Sequence, residues 1–349
     1  MKKFLRVIAT VLLIGLSLAT TSAGFAFPPV RDTSKSDGKI HVVSKSLMAG
    51  TGFWTLIRQG ILDISGSDAI GGAQVAVYSP AVDGDAQAQL GLMEIALQNN
   101  PMAIVVSPID TDALAPYIEK AYDQGIPVVV FDDRASTEKY DAFYGTDNYA
   151  AAYWIGTHVG EMMRGKGTYA TLSGTPQSLA EEARVNGFKD ALKEKYPDIK
   201  HIEGGTFYSN YDQTRAYGYA QDLLTSHPDI NCIFGAFSLL LNSTAVVMQE
   251  AGKEKQSILL PTFDTDDDGT ALTEQSWFTG FVQQDPYHEV QDAIKRAHDI
   301  AVGKVARLDK PEIVPVRYMW ITPENIKTEE AQKFLYPARI SEKYDIISN

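Results

Sequence analysis

The chain is 349 residues long, with 44% hydrophobic residues, a formal net charge of −13 and one cysteine, Cys232. That length exceeds one ordinary core and points to two domains, while a single thiol excludes an intramolecular disulfide and leaves stability to the core itself. The acidic balance, with no cluster of Lys and Arg, excludes a nucleic-acid partner, which needs grouped cations against phosphate.

Lys2, Lys3 and Arg6 precede the apolar run IATVLLIGLSLA and the small residues TSAGFA. Charged, apolar and small segments in that order predict a secretory signal peptide over residues 1–26, cleaved after Ala23 or Ala26, and so a periplasmic protein. The apolar run is too short to cross a hydrocarbon core of ~30 Å, and no second such run follows. No cysteine stands near the cleavage site to carry a lipid. A polar stretch over residues 29–38 then leads into the fold.

From Lys39 onward, short β-branched runs alternate with longer segments of helical period, the pattern of βαβ units around parallel sheets. The strands expected are HVVS, QVAVYS, AIVVSP, PVVVFDD, AFYGTD, TYATLSG, HIEGGTF, NCIFGAF, ILLPTFD and TGFVQQD. Between them, segments such as DAQAQLGLMEIALQNN, TDALAPYIEKAYDQG and YDQTRAYGYAQDLLTSH read as amphipathic helices. Continuous apolar strands imply sheets covered on both faces. So many strands exceed one doubly wound half, and the division falls after Gly145. The reading is an α/β protein of two doubly wound Rossmann-like lobes with a hinge and a central cleft. Residues 40–145 with about 285–310 form the first lobe, and 146–284 with about 311–325 the second. The tail, 326–349, carries Phe334, Leu335, Tyr336 and Tyr344 and is expected to pack across a lobe or near the hinge.

Polar and aromatic residues gather at the strand ends that would face the cleft. Phe53 and Trp54 follow the first strand, Ser107 the third, Asp132 and Asp133 the fourth, and Asp264 and Gln284 later ones. Such ends are where open α/β sheets place ligands. Each has a plainer reading: Phe53 and Trp54 as core, Arg184 as a surface partner of Glu181 or Glu182, Asp147-Asn148 as a helix cap, His158 as a helix-face residue.

The segments GIPVVVFDDRAS (Gly125 to Ser136), GTDNYAAAYWIGTHVGE (Gly145 to Glu161), EARVNGFKDAL (Glu182 to Leu192) and FDTDDDGTAL through FVQQDPY (Phe263 to Tyr287) carry a resemblance by their order and spacing. The chain resembles the type I periplasmic binding proteins, specifically the ribose-binding branch of the sugar-binding family of ABC transporters, from Ile40 to about Gly303. The resemblance implies a monomer that closes on a sugar or polyol, without catalysis, cofactor or metal, and delivers it to an ABC permease. It is similar as well to the branch that binds furanosyl signals beside a sensor kinase, which keeps a sensing partner open.

Residue by residue, the resemblance makes Phe53 and Trp54 the aromatic pair on one sugar face and Tyr211 the aromatic on the other. Aromatic faces suit the apolar C–H patches of a sugar ring. It makes Asp132 the acceptor of two hydroxyls, Arg184 a donor to sugar oxygens, and Asp264 and Gln284 further contacts, where charge-assisted bonds of fixed geometry discriminate epimers. Three positions depart from the pattern. Asp133 stands where an Arg is expected, and Ser107 and Phe237 where amides often bond hydroxyls. A hydroxyl buried without a partner costs about 1–3 kcal/mol, so ribose fits poorly. A ligand with an apolar edge, or with a cationic group facing Asp132 and Asp133, fits better.

Other readings match less well. Asp264, Asp266, Asp268 and Gly269 fit the start of an EF-hand loop, but its twelfth position is Gln275. Gly50-Thr51-Gly52 lacks the third glycine of a dinucleotide turn, which is Thr55, and Phe53 and Trp54 block the pyrophosphate approach. No G-x-S-x-G elbow is present, although Asp132 and Asp264 could serve glycoside chemistry at a suitable separation. A sugar-responsive repressor would need an N-terminal helix-turn-helix in place of the export signal.

Overall fold

The computed structural model describes residues 28–46 and 52–337. The expected signal peptide, Gly50, Thr51 and Tyr344 lie outside the described residues.

The first lobe runs β1 (Lys39–Val43), α1 (Gly52–Ile64), β2 (Gln74–Tyr78), α2 (Ala86–Gln98), β3 (Ala103–Val106), α3 (Thr111–Asp123), β4 (Val128–Phe131) and β5 (Ala142–Gly145). The second runs α4 (Asn148–Met162), β6 (Gly167–Ser173), α5 (Leu179–Lys195), β7 (Ile199–Tyr208), α6 (Gln213–Ser226), β8 (Cys232–Gly235), α7 (Ser238–Glu250), β9 (Pro261–Phe263), α8 (Asp267–Glu274) and β10 (Gly280–Gln284). The chain then adds α9 (Pro286–Ala301), β11 (Glu312–Pro315), β12 (Tyr318–Ile321) and α10 (Glu329–Leu335).

The runs AIVV and VVVF of β3 and β4 are buried at every residue because helices cover both faces of their sheet. That sheet has the order β11-β5-β4-β3-β1-β2, parallel throughout. In the second lobe β7-β6-β8 continues into β9-β10-β12 through the parallel bridge of Cys232 to Leu259, and β12 runs antiparallel to β10. The loops that follow β5, β7, β9 and β10 each end in an Asp that caps the next helix. Asp147, Asp212, Asp266 and Asp285 accept from an N–H of the first turn and satisfy a donor the helix leaves unpaired.

The chain crosses between lobes three times: from β5 to α4, from β10 to α9, and between Pro315 and Tyr318. Helix α9 returns to the first lobe, where Val290, Ala293 and Ile294 pack with Ile40, Ile57 and Val105. The third crossing lies later than expected. Residues 312–315 pair with β5 in the first sheet, Ile313 opposite Phe143, so only residues from about Tyr318 onward join the second lobe. A half-exposed edge strand has no burial period that reveals which sheet it joins. The tail lies on the second lobe: Ile326, Ala331, Phe334 and Leu335 cover Phe281 and Ile321.

Candidate functional site

A cavity of about 140 Å³ lies between the lobes, the size that admits one ring-sized molecule. Two carboxylates reach it from matching places. Asp132 follows β4 with φ 62°, and Asp264 follows β9 with φ 51°, a left-handed turn that swings each side chain off the end of its strand. The Asp132 backbone N–H is shared between Tyr144 O at 3.0 Å and Glu289 Oε1 at 2.7 Å. Its Oδ2 accepts from Ser107 Oγ at 3.0 Å and lies 2.9 Å from Lys45 Nζ. Burial pushes Glu289 well above the usual carboxylate range, and Asp132 beside it adds to the shift.

Asp264 Oδ2 accepts from Gln284 Nε2 at 2.7 Å and stands 3.8 Å from Arg184 Nη1. Burial pushes the Asp264 carboxyl up to about 6, against the opposing pull of Arg184 and Gln284. Arg184 is no surface residue. Its Nε donates to Asn148 Oδ1 at 2.7 Å, its Nη1 donates to Ala236 O at 2.9 Å, and its guanidinium lies 4.3 Å over the Phe263 ring. A fork held at three points presents a fixed geometry to whatever enters the cavity.

The walls are aromatic. Phe53 and Trp54, in the first turn of α1, meet edge to face at 5.0 Å, and Tyr211 and Phe237 lie 5.7 Å apart across the second lobe. Phe53 is also part of the first-lobe core, so the plainer reading and the functional one both hold for it. Tyr211 O–H donates to Glu181 Oε1 at 2.8 Å, while Glu181 Oε2 accepts from Ser173 Oγ, Gly174 N and Thr175 N. Burial pushes Glu181 up and the Tyr211 hydroxyl far up, the latter helped by the Glu181 charge.

Of the residues singled out from sequence, Phe53, Trp54, Asp132, Arg184, Tyr211, Phe237 and Asp264 line the cavity. Ser107, Asp133 and Gln284 stand behind it: Ser107 and Gln284 hold the two carboxylates, and Asp133 bonds across to α5. Lys45, two residues past β1, is a site residue that sequence reasoning does not reach. Its Nζ sits 2.9 Å from Asp132 and 3.1 Å from Asp133, so the pair already has its cation and the expected cationic group on the ligand is not called for. Burial alone would lower the Lys45 ammonium, but the two carboxylates outweigh it and hold it above its usual range. Ser178 and Glu181 also escape sequence reasoning; their only signal is a polar cluster at a helix start. The acidic run after β9 is divided. Asp266 caps α8 through Gly269 N at 2.7 Å while Asp264 faces Gln284, and no group of side chains that could hold a metal occurs among the described residues.

Two α/β lobes, three crossings and a ligand-sized cavity at facing strand ends define a type I periplasmic binding protein fold. The chain belongs to the family described as periplasmic binding protein domain, which matches residues 43–305. It is 26% identical over 332 residues to the D-allose-binding periplasmic protein of Escherichia coli (strain K12), covering 92% of this chain and 100% of that one. It is 26% identical over 221 residues to the ribose import binding protein RbsB of Bacillus subtilis (strain 168), covering 63% and 70%. Among solved structures, an ABC transporter solute binding protein from Agrobacterium vitis with bound D-fucose superposes with a TM-score of 0.77 at 25% identity, covering 86% of this chain and 100% of that one. A carbohydrate transporter solute binding protein from Agrobacterium radiobacter in complex with D-arabinose shares the fold, with a TM-score of 0.78 at 22% identity, covering 86% and 99%.

Proposed function

We propose that the protein captures one small sugar or polyol between its lobes, in the periplasm, and delivers it unchanged to an ABC importer. The observation that carries this reading is the cavity itself. Carboxylates from both lobes, Asp132 and Asp264, meet there between aromatic walls, the combination that suits a ring with hydroxyl edges and C–H faces. Ligand bound there touches both lobes only when they are together, so it favours the closed form, which the importer then recognises. The relatives named for ribose and D-allose support the substrate class, and the leader expected over residues 1–26 supports export. Phe53, Trp54, Asp132, Arg184, Tyr211, Phe237 and Asp264 are the contacts in this reading. Phe237 and Leu239 give the second-lobe wall apolar side chains on either side of the single Ser238 hydroxyl, which favours a sugar with a deoxygenated or otherwise apolar edge against those two.

A thermal-shift panel of the mature protein tests this, with D-ribose, D-allose, D-arabinose, D-fucose, other deoxy sugars and polyols. A sugar at a hundred times its Kd adds about 2.7 kcal/mol and raises Tm visibly, with no product on incubation. D-Fucose or another deoxy sugar is expected to outperform D-ribose. No rise with any member would overturn the sugar reading.

A further inference from the structure

Asp133 neighbours the cavity carboxylate Asp132 yet bonds the opposite lobe. It follows β4 in the first lobe and is 1% exposed. Its Oδ1 accepts from Ala180 N at 2.9 Å, and its Oδ2 from Ser178 Oγ at 2.5 Å and Lys45 Nζ at 3.1 Å. Ser178 and Ala180 open α5 in the second lobe, where Ser178 caps the helix by accepting from Glu181 N. The first N–H groups of a helix have no partner within it and carry the positive end of its dipole. A carboxylate from the first lobe therefore completes the start of a second-lobe helix, and these bonds exist only while the lobes are together.

The surroundings agree that this is a closed arrangement. Thr111 Oγ1 donates to Gln177 O at 3.4 Å across the same seam, and a Cβ at Gly52 would overlap the Thr265 carbonyl. Lys45 ties the seam to the cavity, since one ammonium neutralises both Asp132 and Asp133.

We propose that Asp133 is an inter-lobe clasp, a positioning residue that sets how readily the lobes close and so how tightly any ligand is held, without selecting which ligand. The residue that replaces the family's expected Arg has thereby moved from reading the ligand to holding the closed form. Apparent affinity scales with the fraction of the sugar-free protein already in the binding-competent form, and the clasp keeps that fraction large enough to make the wild type compact. Weakening the clasp lowers the closed population for every ligand alike. The affinity arm of the test rests on the sugar-binding reading; the scattering arm does not.

The test compares the mature wild type with Asp133→Asn, which keeps the volume and removes the charge, and with Ser178→Ala, which removes one donor. Asp133→Asn is expected to weaken binding of both D-allose and D-fucose by about tenfold, leaving the ratio of the two Kd values unchanged. Combined with Ser178→Ala, the loss should be smaller than the product of the two single losses, because both break one contact. Small-angle scattering of the sugar-free proteins should show the wild type more compact than Asp133→Asn. A changed Kd ratio would make Asp133 a ligand contact and overturn the proposal, as would unchanged affinities. Superposable sugar-free scattering curves also overturn it. If neither binds, the two members of the panel with the largest thermal shifts replace them; if no member of the panel binds, the sugar reading fails, and the scattering comparison still decides the clasp.

Discussion

The carboxyl of Asp264 is the residue whose chemistry most directly governs the cavity. It is buried at the end of β9, held by Gln284 and faced by Arg184, and burial pushes it up to about 6. Ligand hydroxyls donate to the ionised form and so lower this raised pKa in the complex. The affinity of a sugar that reaches Asp264 should then be flat above about pH 6. Below it, affinity falls towards a limit of about tenfold per pH unit as protons compete. Glu181 and Glu289, also raised by burial, titrate nearby, so Asp264→Asn isolates the effect: calorimetry from pH 8 to 5 should give a falling affinity in the wild type and a flatter one in the variant. Matching profiles would remove Asp264 from the contact set. Asp132 and Asp264 are legible from sequence because an ionised residue that ends an apolar strand needs a compensating partner. Lys45 is not. Its partner Asp133 is 88 residues away, and a lysine two places past a strand looks in sequence like any surface cation.

At the scale of elements, the strands with uninterrupted apolar runs are readable, since burial on both faces leaves a composition that no exposed segment has. The segment EIVPVRYMWI is not. It splits into β11 and β12, edge strands of different sheets with half-exposed side chains, separated by Val316 and Arg317 at the third crossing. The chain beyond β12 has a structural role of its own. Phe334 and Leu335 of α10, with Ile326, cover Phe281 and Ile321, and the Arg317 guanidinium lies 4.9 Å over the Phe334 ring. Burial of each such side chain is worth about 1.5–3 kcal/mol, so truncation after Thr322 should cost at least about 4 kcal/mol and lower Tm by several degrees. Sugar binding, measured well below the new Tm, should persist, because α10 is remote from the cavity lining. An unchanged melting temperature would rule out this role for the tail.

Among the described residues the apolar packing falls into two lobes, with the cavity of Asp132 and Asp264 between them. The buried apolar clusters divide cleanly: two draw only on the first-lobe sheet and its helices, three only on the second, and none mixes residues from both. Between the lobes run three chain crossings, the Asp133 contacts with α5, and the Arg317 to Asp285 ion pair, which joins two of the crossings at 2.5 Å. Polar contacts of this kind couple two cores weakly compared with shared apolar packing. Calorimetry of the sugar-free protein should accordingly show a transition broader than one two-state unit allows, with a van't Hoff enthalpy below the calorimetric one. A saturating sugar adds its binding free energy only to the state in which both lobes are folded and together. The transition should then sharpen towards a single unit as it moves up, and the two enthalpies converge. If the sugar-free protein already melts as one unit, the polar seam couples the two cores more strongly than its composition suggests. If the transition stays broad at saturation, the sugar is held by one lobe alone, and the cavity between Asp132 and Asp264 is not where it sits.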